Sequence, residues 1–237
     1  MEEALTLLSF GENGWGDTIA KGVLITVSLS LATLPFGLII GFLIALAKTS
    51  REPSLTLAAN IYTTIFRGLP ELLTLFLVFF GVQIGLQQLL KLMGFDIYIE
   101  VNSFVAGMIA LSLVFSSFAS EAFLSAFRGI PQGQYEGGYA LGLSRFKTMT
   151  LIILPQLIRL ALPALGNLWL ILLKDTALVS TIGLSDLLRE TSIAARVTKE
   201  PFLFFGLACL SYLVLAMISS SAFTRIERWS KRGEVHR

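Results

Sequence analysis

Five stretches of this chain are long, apolar and almost free of charge. Residues 22–47 carry no Asp, Glu, Lys or Arg, and Gly37 and Gly41 recur there at helical spacing. Residues 72–90 form a second uncharged run, and 54–66 just before it are also apolar, so 54–90 reads as one element broken at Arg67-Gly68-Leu69-Pro70. Residues 101–120 are uncharged, with that span taken to about residue 127. Residues 160–173 are too short alone but continue past Lys174-Asp175 to about 182–185, and 201–224 form the last run. A membrane-crossing helix needs about 20 mostly apolar residues. The pattern therefore predicts an all-α polytopic membrane protein with about five spans.

The composition agrees. Of the 237 residues 54% are hydrophobic and 14% charged, and mean hydropathy is +0.76. Soluble domains carry roughly 25% charged residues. The 18 basic and 16 acidic residues are too balanced for a polyanion-binding protein, and the single cysteine, Cys209, excludes an intramolecular disulfide or a Cys-rich metal site. His236 is the sole histidine, so no His-based metal site or relay is expected. The leader is acidic (Glu2, Glu3, Glu12 and Asp17 against Lys21) and unlike a cleaved signal; residues 1–21 are expected to persist as a segment outside the cytoplasm.

Basic residues set the orientation. With five spans, 48–53, 125–159 and 225–237 lie on one side and hold 11 Lys and Arg residues; the other side holds five, with nine acidic residues. This places the N-terminus outside and the basic tail, 225–237, in the cytoplasm.

The largest inner loop reads Glu136-Gly137-Gly138, then Gly142, then Ile152 and Leu154-Pro155, or E-G-G-x3-G-x9-I-x-L-P. It resembles the EAA loop of ABC importer permeases, E-A-A-x3-G-x9-I-x-L-P, with every spacing kept and glycines replacing the two alanines. Phe66-Arg67-Gly68-Leu69-Pro70-Glu71-Leu72-Leu73, the run Phe127–Gln134, the run Ala161–Trp169 and Leu173–Ser180 are similar to segments of the polar amino-acid group of these permeases, which serves histidine, glutamine, arginine and opines. The arginine, histidine and opine members look nearest. The resemblance covers roughly residues 20–225.

It implies the type I importer permease fold over 22–224, with a cytoplasmic coupling helix between spans 3 and 4. Glu136, Gly137, Gly138, Leu141, Gly142 and Arg145 would form the loop that docks on a cytoplasmic ATPase dimer: small residues for close backbone approach, an apolar anchor and a cation for an acidic rim. It further implies a second permease subunit (a similar chain or a second copy), a periplasmic amino-acid-binding protein, and residence in the bacterial inner membrane. The chain lacks the Walker A pattern G-x-x-x-x-G-K-[ST]. ATP and Mg would thus sit on the partner ATPase, this chain holding no cofactor and catalysing no reaction.

Ionisable residues at membrane depth are costly and mark candidate sites. Arg67 and Glu71 flank the break four residues apart, the spacing of a helical ion pair. Glu121 lies near the inner end of the third span, and Lys174 and Asp175 interrupt the fourth. A basic amino acid needs acidic contacts, for which Glu71 and Glu121 stand first, and backbone N–H groups at the 67–71 break could take its carboxylate. Two other readings remain open: that these charges only pair with one another to fix packing, or that the substrate is a neutral glutamine-type amino acid. An ion-coupled secondary carrier is the alternative to an ATP-driven importer.

Overall fold

In the computed structural model, residues 6–11, 14–95, 97 and 100–230 are described. Glu2, Glu3, Glu12 and the tail residues from Lys231 to Arg237, His236 among them, lie outside these. Helix α1 spans Gly16–Lys48, α2 Pro53–Gly68, α3 Glu71–Leu92 and α4 Ser103–Gly129. Two short helices follow, α5 (Gln132–Ala140) and α6 (Arg145–Thr148). A π-helical turn, Met149–Ile153, leads into α7 (Leu154–Asp175), which tightens into a 3₁₀ segment, Thr176–Ile182. Helices α8 (Leu187–Thr198) and α9 (Pro201–Ser230) are the last of the described elements.

Among the described residues, five helices are long and apolar enough to cross a membrane: α1, α3, α4, the continuous run Arg145–Ile182, and α9. The observed ends run past the uncharged stretches, because α1 takes in Asp17, Lys21 and Lys48, and α9 takes in Arg225 and Arg228. Charges at helix ends reach the head-group region by snorkelling, so an uncharged run marks a span's middle and not its limits. Pro35 and Pro163 sit inside continuous helices. The break that matters is at Leu69-Pro70. Leu69 is extended (φ −91°, ψ 143°), as the residue before a proline prefers, and it separates α2 from α3.

α1 and α4 form the most extensive helix pair, and α4 is the most buried span. Their contact is built on small side chains. A Cβ at Gly41 would lie 2.9 Å from both the Ser116 carbonyl oxygen and Ala119 Cβ, and one at Gly37 would run into the Phe115 ring. In a bilayer, where lipid offers no hydrophobic drive, such close approach is what packs helices. Three serines in the middle of α4 turn their hydroxyls onto their own helix: Ser112 donates to Met108 O, Ser117 to Val114 O and Ser120 to Ser117 O. That satisfies them without a partner in the apolar interior.

On the opposite edge of the bundle, Ser103 donates to Ile182 O at 2.8 Å, and Leu187 N donates to Thr26 Oγ1 at 3.2 Å. Asp186 caps α8, its Oδ1 accepting from Arg189 N at 2.9 Å, while Oδ2 is buried without a partner. Burial of this fully enclosed carboxyl pushes its pKa up to about 6, with the nearby Glu190 charge adding to the rise and backbone N–H donors opposing it.

Candidate substrate cavity and docking loop

The break at Leu69-Pro70 distributes the intramembrane charges differently from their spacing along the chain. Arg67, at the end of α2, reaches α4, where Nη1 lies 3.2 Å from Glu121 Oε1 and the guanidinium stands 5.6 Å from the centre of the Phe118 ring. Lys48 Nζ, from the last residue of α1, donates to the same oxygen at 2.5 Å, and its side chain is only 6% exposed. Glu121 is thus neutralised by two cations of this chain and tethers α1 and α2 to α4. Lys48 is the partner that spacing along the chain does not reveal, since it lies 73 positions from Glu121 at the charged end of the first span. Tyr62 is a second: its hydroxyl lies 2.8 Å from Ser116 Oγ and donates to Leu113 O, fixing α2 against α4.

Glu71, released from Arg67, begins α3 and lines a cavity of about 170 Å³ together with Asp175. The other walls are apolar: Leu111, Val114, Phe115 and Phe118 from α4, and Leu168, Ile171 and Leu172 from α7. The two carboxylates are close enough for their charges to interact. Two acids sharing an apolar recess repel each other and favour a cation between them. Lys174, the sequence neighbour of Asp175, is exposed and lines no part of this cavity. Of the five intramembrane candidates, then, Glu71 and Asp175 come together, Arg67 and Glu121 come together elsewhere, and Lys174 lies outside the cavity lining though its charge still reaches Asp175.

The loop of six candidate docking residues forms helix α5 and the turn after it. Gln132 Nε2 donates to Glu136 Oε1 at 2.9 Å, one turn along α5. Gly138 is buried against Thr148 and Ile152, where an added Cβ would fall 2.5 Å from Thr148 Cγ2; Gly137 has open space. The helix ends with Gly142 at φ +75°, a left-handed conformation that glycine adopts without strain, and Leu143 N donates to Gly138 O at 3.1 Å. Ser144 Oγ then caps α6 by accepting from Lys147 N, and Gln156 Nε2 donates to Gln134 Oε1 at 3.1 Å, binding α5 to α7. Leu141 and Phe146 stand 79% and 76% exposed at the tip of this loop, with Arg145 exposed between them. Apolar side chains so presented on an otherwise polar turn mark a contact surface. Among the described residues no three His, Cys, Asp or Glu side chains gather as metal ligands would.

A helical membrane bundle with a charged inner cavity and a structured loop between its third and fourth spans defines a transporter's membrane subunit. Residues 37–232 match the family described as binding-protein-dependent transport system inner membrane component, and the chain belongs to it. It is 40% identical over 230 residues to the nopaline transport system permease protein NocQ of Agrobacterium fabrum, covering 97% of this chain and 98% of that one. It is 36% identical to the histidine/lysine/arginine/ornithine transport system permease protein HisQ of Salmonella typhimurium, covering 91% and 94%. Among solved structures, an amino acid ABC transporter crystallised with histidines matches with TM-score 0.76 and 30% identity over 90% of this chain and 94% of that one. The ABC permease fold and class expected from the EAA-like loop are the ones found. These relatives are permeases, conduits for substrate and not catalysts, and the ion-coupled carrier is set aside.

Proposed function

We propose that this chain carries basic amino acids, or opines derived from them, across the bacterial inner membrane, with Glu71 and Asp175 meeting the cationic part of the substrate. The observation that carries the reading is the pair of carboxylates in one apolar cavity between α3, α4 and α7. The named substrates of the relatives, nopaline for one and histidine, lysine, arginine and ornithine for another, agree with it. The cavity is smaller than the roughly 300–1,000 Å³ of a complete ligand pocket, which supports a pathway finished by a second permease subunit. Arg67, Glu121 and Lys174 take structural or surface roles in this reading. The loop Glu136–Arg145 docks on a cytoplasmic ATPase dimer, which binds ATP and Mg and supplies the energy, and a periplasmic binding protein delivers the substrate. The N-terminus is periplasmic and the C-terminus cytoplasmic.

Uptake of labelled arginine by the reconstituted transporter tests the substrate assignment. Glu71→Gln and Asp175→Asn should each raise the half-saturating arginine concentration roughly 10-fold or more, the worth of a charge-assisted contact. Competition by glutamine but not by arginine would overturn the cation assignment. Co-purification tests docking: Gly142→Asp should still insert in the membrane yet lose the ATPase, and full retention of the ATPase would remove the loop from that role.

A further inference from the structure

A second cavity, of about 780 Å³, opens where the ends of α1 and α4 meet α5 and α6. Its lining holds four cations, Lys48, Arg51, Arg128 and Arg145, and no carboxylate. Lys48 is held by Glu121. Among the described residues, Arg51, Arg128 and Arg145 form no ion pair. Guanidinium groups gathered round one space repel each other until an anion enters, and their planar forks suit phosphate oxygens. Tyr135 and Tyr139 bring hydroxyl groups to the same lining. Thr148 lies in the wall 1% exposed, with an Oγ1 that has no hydrogen-bond partner. Buried hydroxyls are seldom left so.

Depth decides what kind of anion fits. Lys48 is the last residue of α1, and Arg128 is one residue from the end of α4, so the cations stand where spanning helices leave the hydrocarbon. Leu124 and Phe127, in the last turns of α4, and Met149 give the wall an apolar part beside its hydroxyl groups. A soluble phosphate would gain nothing from that apolar part, whereas a phospholipid presents a phosphate and an apolar body together. Basic pockets between spanning helices at the membrane face bind such head groups. We propose that this cavity is a binding site for the head group of an anionic phospholipid, with Arg51, Arg128 and Arg145 on its phosphate. The site is separate from the carboxylate cavity, shares Arg145 with the loop Glu136–Arg145, and adds a lipid to the partners of this chain.

Native mass spectrometry of the transporter, purified with its partner subunits in mixed micelles of phosphatidylglycerol and phosphatidylcholine at equal amounts, tests it. Phosphatidylglycerol should be retained over phosphatidylcholine. Arg51→Gln with Arg128→Gln should cut that retention roughly 30-fold, about 1 kcal/mol for each basic residue near a lipid head group. Arg51→Lys with Arg128→Lys should keep most of it, as should Arg225→Gln with Arg228→Gln, which removes equal charge from α9 outside the cavity. Equal retention of the two lipids by the unaltered protein overturns the proposal, whatever the variants do. So does saturation of the site by millimolar inorganic phosphate without any lipid preference, which would make the ligand a solution anion. Phosphatidylglycerol bound only after the ATPase is stripped away would give the cavity to that protein's carboxylates and equally overturn it.

Discussion

Arg67 Nη1 lies 3.2 Å from Glu121 Oε1, on another helix and 54 positions along the chain, and not against Glu71 four residues on. Pro70 is the cause. It ends α2 and restarts the chain as α3 with Leu69 extended between them, so the helical register that would align Arg67 with Glu71 is lost. One break thereby does two things: it gives Glu121 a second cation and frees Glu71 to face Asp175.

Removing Glu121 should destabilise the protein more than removing either of its partners. Glu121→Gln strands Lys48, whose side chain is 6% exposed, with a second cation close by. Stranding one member of a fully buried pair costs roughly 3–5 kcal/mol; the 34% exposure of Glu121 reduces this to roughly 2 kcal/mol. Lys48→Met should cost less, since Arg67 remains on Glu121 and the thioether fills the space. Thermal unfolding in detergent measures both, and the reverse order would mean that the shared oxygen does not hold the three helices.

Glycines along the spans should divide sharply. Gly41→Ala meets the backbone carbonyl of Ser116 at 2.9 Å, which cannot swing aside, and overpacking of this kind costs roughly 1–3 kcal/mol. Gly81→Ala in α3 meets nothing within 4 Å and should hold or raise stability by up to about 1 kcal/mol through helix propensity. Comparable losses at both positions in a detergent melt would count against the packing of α1 on α4.

If α5 docks on the ATPase as proposed, its two adjacent glycines should behave as opposites. Gly137→Ala enters open space and should firm α5 by up to about 1 kcal/mol, leaving ATPase co-purification intact. Gly138→Val strikes the Thr148 side chain and should lever α5 off α7, lowering ATPase recovery several-fold while the chain still inserts. Pull-down from membranes reads both.

Asp186 should make the fold less stable as pH rises. Its folded pKa of about 6 lies above the ordinary 3.8, so the native state holds the proton more tightly than the unfolded chain. That contribution is complete below about pH 4 and is lost as pH climbs through 6; the two-unit difference is worth roughly 3 kcal/mol. Asp186→Asn keeps the Oδ1 cap on Arg189 N and should flatten the dependence between pH 4 and 7. A variant melting curve as steep in pH as that of the unaltered protein would assign the effect to another group.

How far the sequence reaches follows the separation between residues that meet. The loop between the third and fourth spans is legible because its motif residues lie within 20 positions, and their spacing survives folding as one helix, one left-handed glycine and one capped turn. The spans are legible because lipid demands length and low charge of each segment separately. The cavity acids are 104 positions apart, and Lys48 and Glu121 are 73 apart; no periodicity in the chain connects them. Nor does spacing distinguish Gly137 from Gly138, since their difference lies in Thr148, which packs against one of them. The amphipathic α8 is too short and too charged to register in a search for long apolar runs.

The slot that Gly37 and Gly41 leave for Phe115 and Ser116 also restricts movement. Interdigitated at that range, α1 and α4 cannot slide or roll against each other without first separating, and the salt link at Glu121 closes their inner end. They make a chassis. α3 and α9, by contrast, are the spans least gripped by the rest of the described chain, so displacement within this subunit meets least resistance there.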